Sequence, residues 1–152
     1  MTSADLSGRS GDHIEVTDRV IDAQDVLARA QHRRAGAVVL FLGTVRDHAP
    51  GRDGVTHLEY EAYEGVVEPK IAEVVSEARG KWPVERAAAV HRTGSLGVGE
   101  IAVAVAVSAA HRKEAFAAGS YIIDELKARA PIWKKEHWSG GADWVREDTL
   151  HS

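Results

Sequence analysis

The chain has no cysteine, which excludes disulfides, thiolate catalysis and cysteine-ligated zinc and agrees with a reducing compartment. It also lacks an excess of positive charge: 19 Lys and Arg stand against 23 Asp and Glu, for a formal net charge of -4. That balance argues against a dedicated nucleic-acid binder, whose affinity rests on neutralising phosphates, but a small anion needs only one focused positive pocket. No apolar run reaches the length of a membrane span, and the polar start "MTSADLSGRSGD" has no signal-peptide core. A soluble, cytoplasmic protein is expected. Internal repeats, a P-loop ending, a serine nucleophile elbow and an i, i+4 histidine pair are all missing from the sequence. Phosphate-loop, serine-hydrolase and helical metal-site chemistry therefore lack support, and no metal is expected.

At 152 residues the chain is most simply one domain, 13–147, with a flexible tail over 1–12 and a short one over 148–152. "HIEVTD" reads as a strand, and Asp22 can cap a helix running to about Arg34. "GAVVLFLGTV" is a continuous apolar run, which suggests a strand buried on both faces. "RDHAPGRDG" reads as a loop, and "VTHLEYEAY" alternates like a half-exposed strand. Ile71, Val74, Val75 and Ala78 form a helical stripe between Val66 and Gly80. "VERAAAVHR" and "IAVAVAVSA" form a plausible antiparallel pair around the turn "TGSLGVGE". A helix follows from about Ala109 to Arg129, with Phe116, Ser120, Ile123 and Leu126 on its buried face, beside Gly119 and Ala130. Beyond Pro131, "IWKKEHW" and "DWVRE" are strand-like. Several links are too short for parallel crossovers, so the fold class is α+β, with a mainly antiparallel sheet covered by helices.

Three basic groups stand out. In "LKARAPIWKKEHW" (126–138), Lys127, Arg129, Lys134 and Lys135 fall within nine residues that include no acid. Pro131 ends the helix, which leaves Lys127 in a last turn and Lys134 on extended chain, so that the bend can turn two ammonium groups toward one pocket. The alternative is a solvated face whose cations offset the helix dipole. In "SAAHRKEAF", a cap at Ser108 puts His111, Arg112 and Lys113 in or beside a first turn, against the dipole. Either a bound anion accounts for them or they point to solvent. Arg46 directly follows the apolar strand in "GTVRDH"; taken alone, it is expected to pair with Asp47, although its planar fork also suits phosphate or carboxylate. Trp133, Trp138 and Trp144 can stack on a flat heterocycle or serve as core and interface anchors.

In order, "FLGTVRDH", "YEAYEG", "HRTGSLGVGE", "SAAHRKEAFAAG" and "LKARAPIWKKE" resemble the large, catalytic subunit of molybdopterin synthase, from about Gly36 to Trp144. The resemblance implies an α+β "hammerhead" fold and a central homodimer within a heterotetramer. A small ubiquitin-like sulfur carrier ending in Gly-Gly docks at each end. It implies sulfurtransferase activity, in which the carrier's thiocarboxylate gives sulfur in two rounds to cyclic pyranopterin monophosphate (precursor Z) and forms the dithiolene of molybdopterin for molybdenum cofactor biosynthesis. No resident cofactor, nucleic acid or membrane is implied. By motif, Lys127 corresponds to the catalytic lysine, acting by proton transfer or a transient covalent bond, and Lys134 to a second active-site lysine that assists electrostatically. Arg46, His111 and Arg112 correspond to residues that bind the substrate's phosphate and pterin, with Lys135 and Glu136 flanking Lys134. The His-Arg pair is expected from the opposite protomer. Asp47 and Pro50 depart from the commoner form of the loop. Two other functional classes compete: a dimeric binding module without chemistry, and a single-stranded nucleic-acid binder using the tryptophans and lysines.

Overall fold

Local sequence chemistry starts and stops the elements in order. The computed structural model describes residues 11–49, 52–63, 65–138 and 141–146. After β1 (His13–Thr17), the Asp22 carboxylate accepts from the backbone N–H groups of Gln24 and Asp25 and starts α1 (Ala23–Ala30). This helix stops four residues short of the expected Arg34, because Gln31 is already extended. The chain must turn there to bring Gly36 against the carbonyl of Ala109. A Cβ at Gly36 would strike the Ala110 carbonyl oxygen, so the close approach requires glycine.

The next segment is β2 (Ala37–Thr44), followed by two short strands, β3 (His48–Ala49) and β4 (Arg52–Asp53), paired antiparallel where a plain loop is expected. Then come β5 (Val55–Ala62), α2 (Val67–Lys81), β6 (Val84–Arg92), β7 (Gly94–Gly97) and β8 (Ile101–Ala109). The chain closes with α3 (Arg112–Arg129), β9 (Ile132–Trp138) and β10 (Gly141–Arg146). The glycine-rich "TGSLGVGE" therefore contains a strand, β7, and is more than a turn.

Among the described residues, the strands form two four-stranded sheets, ordered β1-β6-β8-β2 and β10-β9-β5-β7, beside the β3-β4 pair, and every pairing is antiparallel except β1 with β6. The expected α+β class with a mainly antiparallel sheet is observed. Helices cover both faces of the first sheet, which explains the unbroken apolar run of β8. Ala104 and Ala106, with Ala88 and Val90 of β6, pack beneath α1 against Val26 and Ala30. Val103, Val105 and Val107 point the other way, into the larger core with Ile71, Val74 and Val75 of α2 and Ile122 and Leu126 of α3. The second sheet adds Leu58, Tyr60, Leu96 and Ile132 to that core.

Three expectations need correction. β2 is an edge strand, and Leu42 is 36% exposed; a continuous apolar run cannot by itself distinguish a central strand from an edge whose outer side is partly open. Phe116 is 62% exposed and Ser120 is also exposed, because α3 buries its small face of Ala115, Ala118 and Gly119, together with Ile122, Ile123 and Leu126. Ser108 does not cap α3: it lies buried in β8, its hydroxyl donating to the Arg86 carbonyl, and His111 holds the cap position.

Asp12, placed in the tail by sequence, is buried. It accepts from Arg79 Nε and Nη2, both at 2.6 Å, and from the Ala87 N–H at 2.9 Å. This bidentate pair ties the residue before β1 to the end of α2 and to β6. None of the described helices is long and apolar enough to cross a membrane.

Candidate active site

Pro131 sets the geometry that the basic segment needs. Ala130 before it is extended (φ -70, ψ 131), as a residue preceding proline should be, while its N–H still donates to the Leu126 carbonyl. The helix therefore ends one turn after Lys127, and β9 begins at Ile132. Alternation along β9 then sends Lys134 and Glu136 inward, 5% and 2% exposed, and leaves Lys135 on the opposite face.

A single cavity is lined by Lys127 from the last turn of α3, by Lys134 and Glu136 from β9, and by Arg46 and His48 from the segment after β2. Leu58 and Tyr60 of β5 complete its apolar side. Arg46 is set by its neighbour Val45, whose N–H donates to the Glu100 carbonyl and whose carbonyl accepts from the Gly99 N–H. Glu100 fastens that turn: its carboxylate accepts from the Gly97 N–H and from Arg92, both at 2.7 Å, and these bonds hold its carboxyl below the usual range. Arg46 does not pair with Asp47, as expected from sequence. Asp47 instead pairs with His48 at 2.9 Å, and that hydrogen bond lowers its pKa. Arg46 lines the cavity, and its guanidinium fork is of the kind that binds an anion.

The other predicted residues lie elsewhere. His111, Arg112 and Lys113 are exposed at the N-terminal end of α3, and His111 makes no side-chain cap hydrogen bond. Arg112 and Lys127 stand fifteen positions apart on one helix, which at 1.5 Å per residue separates their backbones by roughly 22 Å. Within one protomer, His111 and Arg112 do not line the cavity that Lys127 lines. Lys135 lies over the Trp144 ring, 5.4 Å from its centre, outside the cavity.

The sequence pattern of the family described as "MoaE protein" matches residues 16–129. The chain belongs to the MoaE family. The molybdopterin synthase catalytic subunit of Bacillus subtilis is 41% identical over 134 residues, covering 88% of this chain and 85% of that one. A crystal structure of molybdopterin synthase from Staphylococcus aureus superposes with a TM-score of 0.82 at 39% identity, covering 87% of this chain and 96% of that chain. Subunits 1 and 2 of the molybdopterin-converting factor of Helicobacter pylori form a complex in which one chain matches with a TM-score of 0.71, covering 88% of this chain and 90% of that one. At 21% identity, that likeness shows the fold. The MoaE match includes Arg46, His111, Arg112 and Lys127, and ends before Lys134.

For this MoaE-family chain, the structure also brings forward residues that sequence reasoning passed over. His48 and Tyr60 line the cavity. The signal for His48 was its place two residues after Arg46, and for Tyr60 the inward phase of an alternating strand. Buried His91 makes a T-shaped contact with Tyr60, with centroids 5.3 Å apart, and shares a small void with Lys127. His91 Nδ1 lies 2.8 Å from the Arg92 carbonyl oxygen, which can only accept, so Nδ1 carries a proton. A larger cavity of about 210 Å³ lies between Glu61, Tyr63, Trp133 and Trp144. It has aromatic walls, Trp133 and Trp144 among them, and no lysine or arginine among the described residues lines it.

Proposed function

We propose that this chain is the sulfur-transferring catalytic subunit of a molybdopterin synthase. It takes sulfur from the C-terminal thiocarboxylate of a small ubiquitin-like partner and delivers it to cyclic pyranopterin monophosphate, forming the dithiolene. The observation that carries this reading is the convergence of Lys127, Lys134 and Arg46 on one cavity from three separate parts of the chain. Both the substrate phosphate and the carrier's thiocarboxylate are anions, and a partly desolvated group of cations favours negative charge that develops during transfer. Lys127, at the rim of the helix end, is placed to exchange a proton with the reacting atoms or to attack a carbonyl carbon. Lys134, buried on β9 on the same face as Glu136, supplies positive charge to the cavity.

The cavity in one protomer holds about 60 Å³, whereas small-molecule pockets usually span roughly 300–1,000 Å³. Other chains complete it in our reading. A second copy of this chain contributes His111 and Arg112, which explains why those cations sit exposed at the far end of α3. The half-open apolar edge of β2 and exposed Phe116 suit such a homodimer. The tail of the small subunit enters from the open side, giving a heterotetramer. The complex of two subunits known for the Helicobacter pylori factor supports a partner of this kind.

The test is reconstitution of the purified chain with a thiocarboxylated Gly-Gly carrier and cyclic pyranopterin monophosphate. Formation of the dithiolene product is expected. Binding of both components without turnover would identify a non-catalytic binding module instead.

A further inference from the structure

A second group of ligating side chains lies on the other face of the same two strands. His57 and Glu59 project from β5 two residues apart, and the β5–β9 register sets His137 directly opposite His57. The two imidazoles stack with centroids 4.0 Å apart and planes 13° from parallel. His137 Nε2 lies 2.6 Å from Glu59 Oε1. One ligand atom from each of the three residues lies within 4.8 Å of the other two, and all three side chains are partly buried. Sequence reading could not find this group, because its members are joined by strand register and not by an i, i+4 pattern.

We propose that His57, Glu59 and His137 form a binding site for a zinc-type divalent ion. Two imidazole nitrogens and one carboxylate oxygen are the borderline donor set that such ions take, and three protein ligands leave a fourth position for water. The ion replaces the proton shared by His137 and Glu59. The His57 ring turns out of the stack so that its nitrogen lone pair meets the same ion. Backbone movement is not required, since β5 and β9 are already hydrogen-bonded neighbours. The position gives the ion a role. Leu58 and Tyr60 on β5, and Lys134 and Glu136 on β9, line the catalytic cavity from the reverse side of these strands. A bound ion therefore clips together the two strands that floor that cavity. The inference stands independently of the sulfur-transfer reading.

The test is titration of the purified full chain with Zn²⁺ alone, together with Co²⁺ as an absorbing probe of coordination. One ion per chain is expected, with a rise in melting temperature and a visible Co²⁺ spectrum of tetrahedral type. His57→Ala and Glu59→Gln should each weaken binding by about tenfold or more. Glu59→Gln preserves side-chain shape, so it keeps the test valid if loss of an imidazole unsettles the sheet. No stoichiometric uptake by the wild-type chain, or equal uptake by wild type and both variants, would overturn the site.

Discussion

Lys134 and Lys135 are adjacent in the chain and lie on opposite faces of β9. Lys134 is buried in the cavity wall that it shares with Lys127, whereas Lys135 sits over Trp144. The pleat separates two lysines that are adjacent in the basic segment. Lys134→Ala is expected to lower the rate of dithiolene formation by about 10²–10³-fold, the cost of removing one preorganised charge. Lys135→Ala should stay within about a factor of two, the size of a surface change. Steady-state assays of the two variants side by side check this, and equal losses would refute the facing argument.

The separation of Arg112 from Lys127 along α3 leads to a complementation experiment. If each site takes Lys127 from one protomer and the His111/Arg112 pair from the other, a mixed dimer of Lys127→Ala and Arg112→Ala has one intact site and one doubly damaged site. Each variant alone should be nearly inactive, and refolding them together should restore a substantial part of the activity. Failure to restore any activity, with mixed dimers demonstrated by mass, would place the whole site in one protomer.

Glu77 provides a pH signature. Its carboxylate accepts from Arg129 and from the Tyr121 hydroxyl, and these bonds hold its pKa at about 2, down from 4.5. A lowered folded-state pKa means that its contribution to stability is complete above about pH 4.5 and is lost as pH falls from there toward 2. Glu77→Gln should therefore show a flatter dependence of the urea midpoint on pH across that window than the wild type. Parallel curves would show that the network does not stabilise the fold.

Much of this architecture was legible because its causes are local. The Asp22 cap, the Ile71-Val74-Val75-Ala78 stripe and the break at Pro131 each depend on residues within a few positions of one another. Placement of Lys127 on a helix end and Lys134 on a strand followed from the same kind of signal. Readings failed where the cause lay elsewhere in the fold. The apolar content of β2 says nothing about its being at an edge. Phe116 outranks Ala115 and Ala118 in hydrophobicity, yet the sheet admits only the small side chains at close range. Asp12 looked like tail because its partner Arg79 is 67 positions away. Arg46 lost its expected partner because Asp47 turns to His48. Lys135 was expected to bind substrate beside Lys134, although the pleat of a strand sends adjacent residues to opposite faces.

Lys127 performs chemistry, in the proposed reaction, and not merely binding. The most direct measurement is a single-turnover assay of Lys127→Ala, saturated with thiocarboxylated carrier and cyclic pyranopterin monophosphate, with folding verified by circular dichroism and melting temperature. A folded protein that still binds the carrier and forms dithiolene at least about 10²-fold more slowly than the wild type is expected. A folded variant that turns over at the wild-type rate would contradict it.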